Sequence, residues 1–154
     1  MSQIIEYRLA AQSIVLPTPP QAVGSYVPFV IESGFLTVSG QLPLENGALA
    51  VKGKLGAGVS LAEGQRAARL CAINILAQAH LALGDLGRIR RCVRLGGFVA
   101  SAPDFTDQPK VVNGASDLIV AILGDAGRHA RLAVGAAALP LDAAVEVEAQ
   151  FAID

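Results

Sequence analysis

The sequence predicts an α+β fold, in which one mixed sheet carries two helices packed on the same face. The first observation is that apolar residues follow the period of strands near both ends of the chain and that of helices in two internal segments. The second is the order of these segments, which is strands, helix, strand, helix, strand, strand, and which suits one sheet with helices on one side. The third is the length of 154 residues, which fits one core, so we expect residues 1–154 to form a single domain.

The N-terminal segment is expected to form a short helix followed by an extended arm. The residues from Ser2 to Gln12 are compatible with a short helix. The sequence LPTPPQAVGSY follows at residues 16–26, and its prolines and glycine favour an extended chain. We therefore expect residues 1–22 to form a helix and an arm that lie over the body of the domain.

The first strands are predicted between Tyr26 and Val51. The run Phe35–Val38 is rich in residues that favour strands. The dipeptides Ser33-Gly34 and Asn46-Gly47 are typical of tight turns. The fold should therefore open with a hairpin or meander of two or three short strands.

A long helix is predicted between Ser60 and Gly84. Ser60 and Glu63 have the spacing of a capping box, in which each side chain pairs with the other residue's backbone N–H. Gly84 favours the left-handed conformation that commonly ends a helix. The apolar residues in between form one stripe, which we expect to cover a face of the sheet. The members of this stripe are Ala68, Cys71, Ala72, Ile75, Leu76, Ala79 and Leu83.

A second helix is predicted from about Pro109 to Gly124. Proline suits the first turn of a helix, where its missing N–H costs no hydrogen bond. Asn113 lies off the apolar stripe of this helix and is therefore expected at its surface. The stripe itself consists of Val111, Ala115, Leu118, Ile119 and Ile122.

Three further strands complete the prediction. One covers about residues 90–101, with a bulge expected at Gly96-Gly97 because adjacent glycines in a strand often mark one. The other two are RLAVGAAA at residues 131–138 and AVEVEAQFAI at residues 144–153. In the last strand Val145, Val147, Ala149, Phe151 and Ile153 should point one way, and the residues between them should point the other way. The second set consists of Glu146, Glu148 and Gln150.

The composition predicts that this chain associates with copies of itself. Hydrophobic residues make up 53% of the chain and charged residues only 16%, so few charges are available to coat an isolated domain. Between Ala133 and Ala138 glycine and alanine predominate, which would allow a close approach of another backbone. A closed homo-oligomer would also cover the sheet face that the helices leave bare.

The same composition argues against a membrane or a nucleic acid as partner. Glycine, proline or charged residues interrupt every apolar run before the roughly 18 residues that suggest a spanning helix. The first residues do not follow the pattern of an export signal, so a cytoplasmic location is expected. The net charge is −1, and the one basic run, GRIRRCVR, places its charges on both sides of a strand.

Cysteines and histidines do not predict a metal site. Cys71 and Cys92 are far apart in sequence, outside any metal-binding motif, and are expected to be small buried hydrophobic residues. His80 and His129 have no second ligand three or four residues after them. We therefore expect no metal site.

Arg131 is the first candidate site residue, because it leads a strand whose other side chains are small or apolar. A guanidinium in that position can hold a substrate carboxylate through two parallel hydrogen bonds. The alternative is an ion pair across the sheet edge with Glu146 or Glu148. Glu146 could in turn orient a water or carry a proton, or it could simply be a solvated residue of an outward face.

Four other residues are weaker candidates. Ser39 and Gly40 form a corner after a strand, where a hydroxyl and exposed amides could hold a ligand, although Ser-Gly is also an ordinary turn. Tyr26 could cap a pocket with an apolar ring and a polar tip, or pack in the core. Asn113 could be a ligand donor or a helix-surface residue.

Several of these residues lie in motifs that together resemble the YjgF/RidA family, also described as endoribonuclease L-PSP. The motifs are GSY, VSGQLP, APDFTDQPKVVNGASD, GRHARLAV and LPLDAAVEVEA, in that order, within residues 23–153. The resemblance implies a homotrimer of chorismate-mutase-like subunits that form a central barrel, with ligand clefts between neighbours. Better-known members hydrolyse reactive enamines and imines such as 2-aminoacrylate to 2-oxo acids and ammonia, without cofactor or metal.

The resemblance also implies roles for individual residues. Arg131 matches the arginine that binds the substrate carboxylate, and Glu146 matches the glutamate that orients water. Tyr26, Ser39 and Asn113 match residues that line the family's pocket. The substrate would be a small molecule bearing a carboxylate.

The chain departs from the family pattern at three places near these residues. Ala133 stands where the deaminases usually have cysteine, and Ser25 stands where they commonly have proline. About three extra residues, DQP, lie between Phe105 and Asn113. With the added N-terminal stretch and a longer link before the first helix, they indicate a longer branch of the family with a reshaped pocket.

The sequence therefore supports three functional hypotheses of different classes. The first is hydrolysis of a small enamine or imine acid in a cleft between subunits. The second is a trimeric protein that binds a 2-oxo or amino acid without turnover. The third is ribonuclease activity, which a pI of 6.1 and the lack of a basic stripe disfavour.

Overall fold

A computed structural model describes residues 1–154 and contains three α-helices and nine strands. The helices are α1 (Ser2–Ala11), α2 (Leu61–Leu83) and α3 (Gln108–Leu123). The strands are β1 (Phe29–Glu32), β2 (Phe35–Gln41), β3 (Leu44–Glu45), β4 (Ala48–Leu49), β5 (Lys54–Leu55), β6 (Gly58–Val59), β7 (Ile89–Ala100), β8 (Ala130–Ala136) and β9 (Val145–Ile153).

Five strands form the main sheet, in the order β1-β2-β9-β7-β8. Neighbouring strands run antiparallel except β7 and β8, which are parallel. The predicted α+β fold with a mixed sheet is therefore confirmed. The opening segment contains four short strands instead of two or three, because β3 and β4 pair with each other as a separate hairpin.

Helices α2 and α3 pack side by side on one face of this sheet. Helix α2 covers β2 and β9, and α3 covers β7 and β8. Strand β9 alternates as predicted, with its odd-numbered residues buried against the helices and its even-numbered residues partly exposed on the other side. Helix α1 is a third helix, which lies against α3. None of the three helices combines the length and apolar character needed to cross a membrane.

The ends of α2 form as their residues predict. The Ser60 hydroxyl accepts a hydrogen bond from the Glu63 amide at 3.2 Å, and the Glu63 carboxylate accepts one from the Ser60 amide at 2.8 Å. Gly84 ends the helix with a φ of 75° in the left-handed region. The β1–β2 turn likewise has its Ser33-Gly34 pair at positive φ, as a tight hairpin turn requires.

The prediction of a bulge at Gly96-Gly97 is wrong. Both glycines pair in regular register with β9, and the irregularities of β7 lie nearer its start. The absence of side chains serves close packing instead. A Cβ on Gly96 would lie 2.8 Å from the Cγ of Glu148, and a Cβ on Gly97 would lie 2.5 Å from a methyl group of Val112 on α3.

The sheet face opposite the helices is uncovered in the single chain. Val30, Phe35 and Val134 lie on this open face and are between 40% and 51% exposed. Glu148 also lies there and forms an ion pair of 2.7 Å with Arg94. Large apolar side chains are thus exposed on three of the five strands.

Candidate functional site

Arg131 lies on the edge strand β8 and is held by three oxygen atoms of α3. Its Nη1 donates to the Oδ1 of Asn113 at 2.8 Å and to the Oγ of Ser116 at 3.2 Å. Its Nη2 donates to the carbonyl of Pro109 at 3.4 Å. The alternative of an ion pair with Glu146 or Glu148 is not what the structure contains. Asn113 is exposed on the surface of α3, as predicted, and its side chain orients the guanidinium.

Ser116 and His129 extend this arrangement, although no sequence motif marked them as site residues. The Oγ of Ser116 lies 2.9 Å from the Nε2 of His129, and the Nδ1 of His129 contacts the carbonyl of Gly127. Because a carbonyl can only accept, Nδ1 carries a proton and the neutral ring accepts from Ser116 through Nε2. The spacing of Ser116 three residues after Asn113, on one helix face, is the signal that could have revealed it.

The environment of His129 keeps its ring neutral. Burial lowers the pKa of His129 most, and the positive charge of Arg131 lowers it further, against the opposing effect of the hydrogen bond to Gly127. The chain of hydrogen bonds from Arg131 through Ser116 to His129 therefore ends in an acceptor instead of a second cation.

Glu146 lies on the open sheet face, beside Gly40 of β2. A Cβ on Gly40 would overlap the Oε1 of Glu146, so a side chain at this position would require the Glu146 carboxyl to move. Partial burial raises the pKa of the Glu146 carboxyl, and the negative charge of Glu148 raises it further. A carboxyl in this state can both accept and release a proton closer to neutral pH.

Ser39 and Gly40 lie within β2 and not in a corner after it. Between Val38 and Gln41 the pairing of β2 with β9 shifts by one residue, which makes a β-bulge at Ser39-Gly40. The Ser39 amide donates to Pro28 at 2.9 Å, and its hydroxyl donates to Val27 at 2.9 Å. The expectation of a free amide at Ser39 is therefore wrong, while its hydroxyl oxygen can still accept a hydrogen bond.

A cavity of about 130 Å³ lies next to this bulge, beneath the N-terminal arm. Tyr26, Ser39 and Gly40 are among its lining residues. The Tyr26 side chain is 57% exposed and does not belong to the core.

The candidate residues form two clusters on opposite faces of the sheet. Arg131 pairs in register with Leu95, whose side chain faces the helices, whereas Glu146 pairs with Phe98 on the open face. Strand β7 also separates the strands that carry them. Arg131 lies with Asn113, and Glu146 lies beside Gly40, which lines the cavity together with Tyr26 and Ser39. One chain alone does not bring the two clusters together.

The departures from the family pattern fall beside these clusters. Two of the extra residues, Gln108 and Pro109, form the start of α3, and the Pro109 carbonyl is a hydrogen-bond partner of Arg131. Ala133 is partly buried two residues after Arg131 on the same strand face. Ser25 is exposed in the arm, next to Tyr26.

Neither the cysteines nor any other group of side chains suggests a metal centre. Cys71 and Cys92 are buried and unpaired, as expected of small hydrophobic residues. No three His, Cys, Asp or Glu side chains lie close enough to hold an ion.

Comparison with known proteins identifies the family. The sequence model of the family described as "YjgF/chorismate mutase-like, putative endoribonuclease" matches residues 6–152. Protein TCP17 of Trypanosoma cruzi is 47% identical over 154 residues, covering 97% of this chain and 96% of that protein.

Two crystal structures are similar over nearly their whole length. Protein Atu1372 of Agrobacterium tumefaciens, described as having unknown function, is 53% identical with a TM-score of 0.94 and covers 99% of this chain and 94% of its own. A "putative endoribonuclease" of Shewanella oneidensis is 37% identical with a TM-score of 0.94, covering 97% and 99%. These matches confirm the resemblance that the motifs predicted. The chain belongs to the YjgF/chorismate mutase-like family.

Proposed function

We propose that this protein hydrolyses small, reactive enamine and imine acids to 2-oxo acids and ammonia, in clefts formed between the subunits of a homotrimer. The observation that carries the proposal is that the candidate residues form two clusters, each with a functional group suited to one part of the reaction. One offers an oriented guanidinium for a carboxylate, and the other offers a carboxyl of raised pKa beside a cavity.

Association of subunits would unite the two clusters. Members of the family are typically small oligomers. The open sheet face carries exposed Val30, Phe35 and Val134, whose burial would stabilise an assembly. A closed ring joins two different surfaces of neighbouring chains, which is what clusters on opposite sheet faces require. The expectation of three subunits per oligomer comes from the resemblance of the sequence motifs to the YjgF/RidA family.

Arg131 is suited to bind the substrate carboxylate. Three of its five N–H donors are used by Asn113, Ser116 and Pro109. The remaining two are on Nε and Nη2, which are adjacent and can form two parallel hydrogen bonds to a carboxylate. The contacts to α3 also reduce the entropy that the side chain would lose on binding.

Glu146 is suited to move the proton that hydrolysis requires. The enamine tautomerises to the imine, and a water oxygen then bonds to the imine carbon while Glu146 takes the water proton. The same carboxyl delivers that proton to the nitrogen. Collapse of the resulting carbinolamine breaks the carbon–nitrogen bond and releases ammonia and the 2-oxo acid. Its raised pKa suits a group that must both take up and release a proton.

The first test is ammonia release from 2-aminoacrylate, which a pyridoxal-phosphate dehydratase generates in the assay. The protein should accelerate the release. Arg131→Ala and Glu146→Gln should each lower kcat/KM by about a hundredfold or more. Arg131→Lys keeps the charge but not the two-pronged geometry, and should lie between Arg131→Ala and the wild type.

Mixing the two inactive variants tests the shared cleft. If Arg131 and Glu146 act from neighbouring subunits, oligomers reassembled from equal amounts of Arg131→Ala and Glu146→Gln contain about one intact cleft in four. Activity should therefore return to roughly a quarter of the wild-type value. Mixed oligomers that stay inactive would place the two residues in different sites. A ligand-induced rise in Tm that depends on Arg131, without ammonia release, would support the binding protein instead.

A further inference from the structure

Two buried glutamines line the cavity beside Ser39 and Gly40. Gln78 of α2 is 1% exposed and Gln41 of β2 is 7% exposed. Their side chains form a continuous series of hydrogen bonds. The Nε2 of Gln78 donates to the carbonyl of Pro20 at 3.2 Å and to the Oε1 of Gln41 at 3.5 Å. The Nε2 of Gln41 donates to the carbonyl of Ser39 at 3.0 Å.

These contacts fix the orientation of both amides. The Pro20 and Ser39 carbonyls can only accept, so the nitrogen of each side-chain amide must face them. The Oε1 of Gln41 is then occupied by Gln78. The Oε1 of Gln78 has no hydrogen-bond partner, although it is buried. A buried acceptor without a donor is unfavourable, and Gln78 is one of the residues that line the cavity.

The cavity wall determines which donors are suitable. Its lining includes proline, alanine, leucine, glycine, serine, tyrosine and glutamine side chains but no charged residue. An ammonium group would be placed there without a counter-charge, which is costly. A hydroxyl or a primary amide would satisfy Gln78 with no buried charge. The volume of about 130 Å³ admits about four non-hydrogen atoms if each takes the space of a water molecule.

The cavity is also correctly placed to continue the proposed active site. Gly40 lines it and contacts the Glu146 carboxyl. The hydrogen bonds run from Ser39 through Gln41 to Gln78. A molecule whose reacting carbon lies at Glu146 would have to pass Gly40 to place its side chain in the cavity that Gln78 lines.

We propose that this cavity is the subsite for the substrate side chain, and that Gln78 accepts a hydrogen bond from a neutral donor at its end. The preferred substrates would be imine acids with a side chain of about four non-hydrogen atoms that ends in a hydroxyl or a carboxamide. This inference rests on the proposed hydrolysis for its setting, but the binding preference can be measured without turnover.

Three imines of nearly equal size provide the test. An amino acid oxidase generates them from asparagine, leucine and aspartate, which end in a carboxamide, an isobutyl methyl pair and a carboxylate. The asparagine-derived imine should have a kcat/KM at least about tenfold above the other two, because only it satisfies Gln78 without burying a charge. Equal values for the asparagine- and leucine-derived imines in the wild type would overturn the inference and leave the hydrolysis intact.

Gln78→Met replaces the amide with an apolar group of similar length and should transfer the preference to the leucine-derived imine. Gln3→Met is the control, since Gln3 is exposed on α1 and lies outside the cavity, and the substrate preference of this variant should equal that of the wild type. Far-UV circular dichroism and the oligomeric state would verify that both variants fold. If Gln78→Met does not fold, the comparison of the three imines with the wild-type protein still tests the inference.

Binding of the corresponding 2-oxo acids separates this inference from the proposed function. The rise in Tm should be larger with the carboxamide 2-oxo acid than with its isobutyl counterpart, and Gln78→Met should reverse that order. If no imine is hydrolysed but this binding order is observed, the hydrolysis is wrong and the subsite stands. If neither turnover nor binding distinguishes the carboxamide compound from the isobutyl compound, Gln78 does not form a hydrogen bond with the substrate side chain.

Discussion

At the scale of single residues, the geometry at Arg131 depends on a histidine that stays neutral. His129 accepts from Ser116, and Ser116 in turn accepts from Arg131. Protonation of the ring would remove that acceptor and place a second positive charge near the guanidinium. Because burial and Arg131 lower its pKa, His129 resists protonation in the folded state.

This state of His129 predicts a pH dependence of stability. The unfolded chain binds a proton near the ordinary pKa of 6.5, whereas the folded chain does so only at lower pH. The stability that the neutral His129 contributes is thus fully present above pH 6.5. It is lost as the pH falls through the pKa of His129 in the folded protein. His129→Gln retains an acceptor for Ser116 and cannot titrate.

The test is to measure the Tm of the wild type and of His129→Gln at the same protein concentration, at several pH values above and below 6.5. The wild type should lose more stability than the variant as the solution is acidified. A difference in Tm that stays constant with pH would show that His129 titrates alike in both states. His80 is present in both proteins and does not affect the comparison.

At the scale of elements, the two long helices approach each other through glycine. A Cβ on Gly114 of α3 would overlap the backbone carbonyl of Gln65 on α2. Close contact here sets the position of α3, and α3 carries Asn113 and Ser116, which orient Arg131. The helix contact is therefore coupled to the geometry of the candidate site.

Gly114→Ala should reveal this requirement. Alanine favours a helix interior over glycine by about 1 kcal/mol, so a position free of contacts would be stabilised. Here the methyl group must push α2 and α3 apart, and we expect the free energy of unfolding to fall by about 1–2 kcal/mol. Urea denaturation measures the change, with Asp117→Ala on the exposed side of the same helix as the near-neutral control. Stabilisation by Gly114→Ala would mean that the helices are not in close contact.

At the scale of the whole molecule, both cysteines are enclosed by the helix and sheet layers. Burial raises the pKa of the Cys92 thiol to about 12, and that of Cys71 well above its ordinary value, in the latter case with a contribution from Glu146. The reactive thiolate form is therefore suppressed by the fold itself.

Thiol labelling should accordingly report on global unfolding. Ellman's reagent should leave both cysteines unmodified in the native protein and react with both after denaturation. Ser25→Cys places a thiol on the exposed arm and should react at once in the native state, which controls for the reagent. Rapid labelling of the native wild type would indicate local opening between α2 and the sheet.

The sequence by itself determined features that depend on neighbouring residues. The capping box of Ser60 and Glu63, the helix end at Gly84 and the alternation of β9 are local, because backbone hydrogen bonds and side-chain periodicity act over a few residues. These features, with the order of the elements, were sufficient for the α+β fold and the mixed sheet. The motifs were also sufficient to identify the family.

Only the tertiary structure decided how the candidate residues are combined. Contacts between residues distant in sequence placed Arg131 and Glu146 on opposite faces, joined Ser116 to His129, and left the buried Oε1 of Gln78 without a hydrogen-bond partner. They also gave Gly96 and Gly97 a packing role in place of the predicted bulge. Such contacts depend on how sheet and helices pack against one another, and a local pattern in the sequence carries no record of that packing.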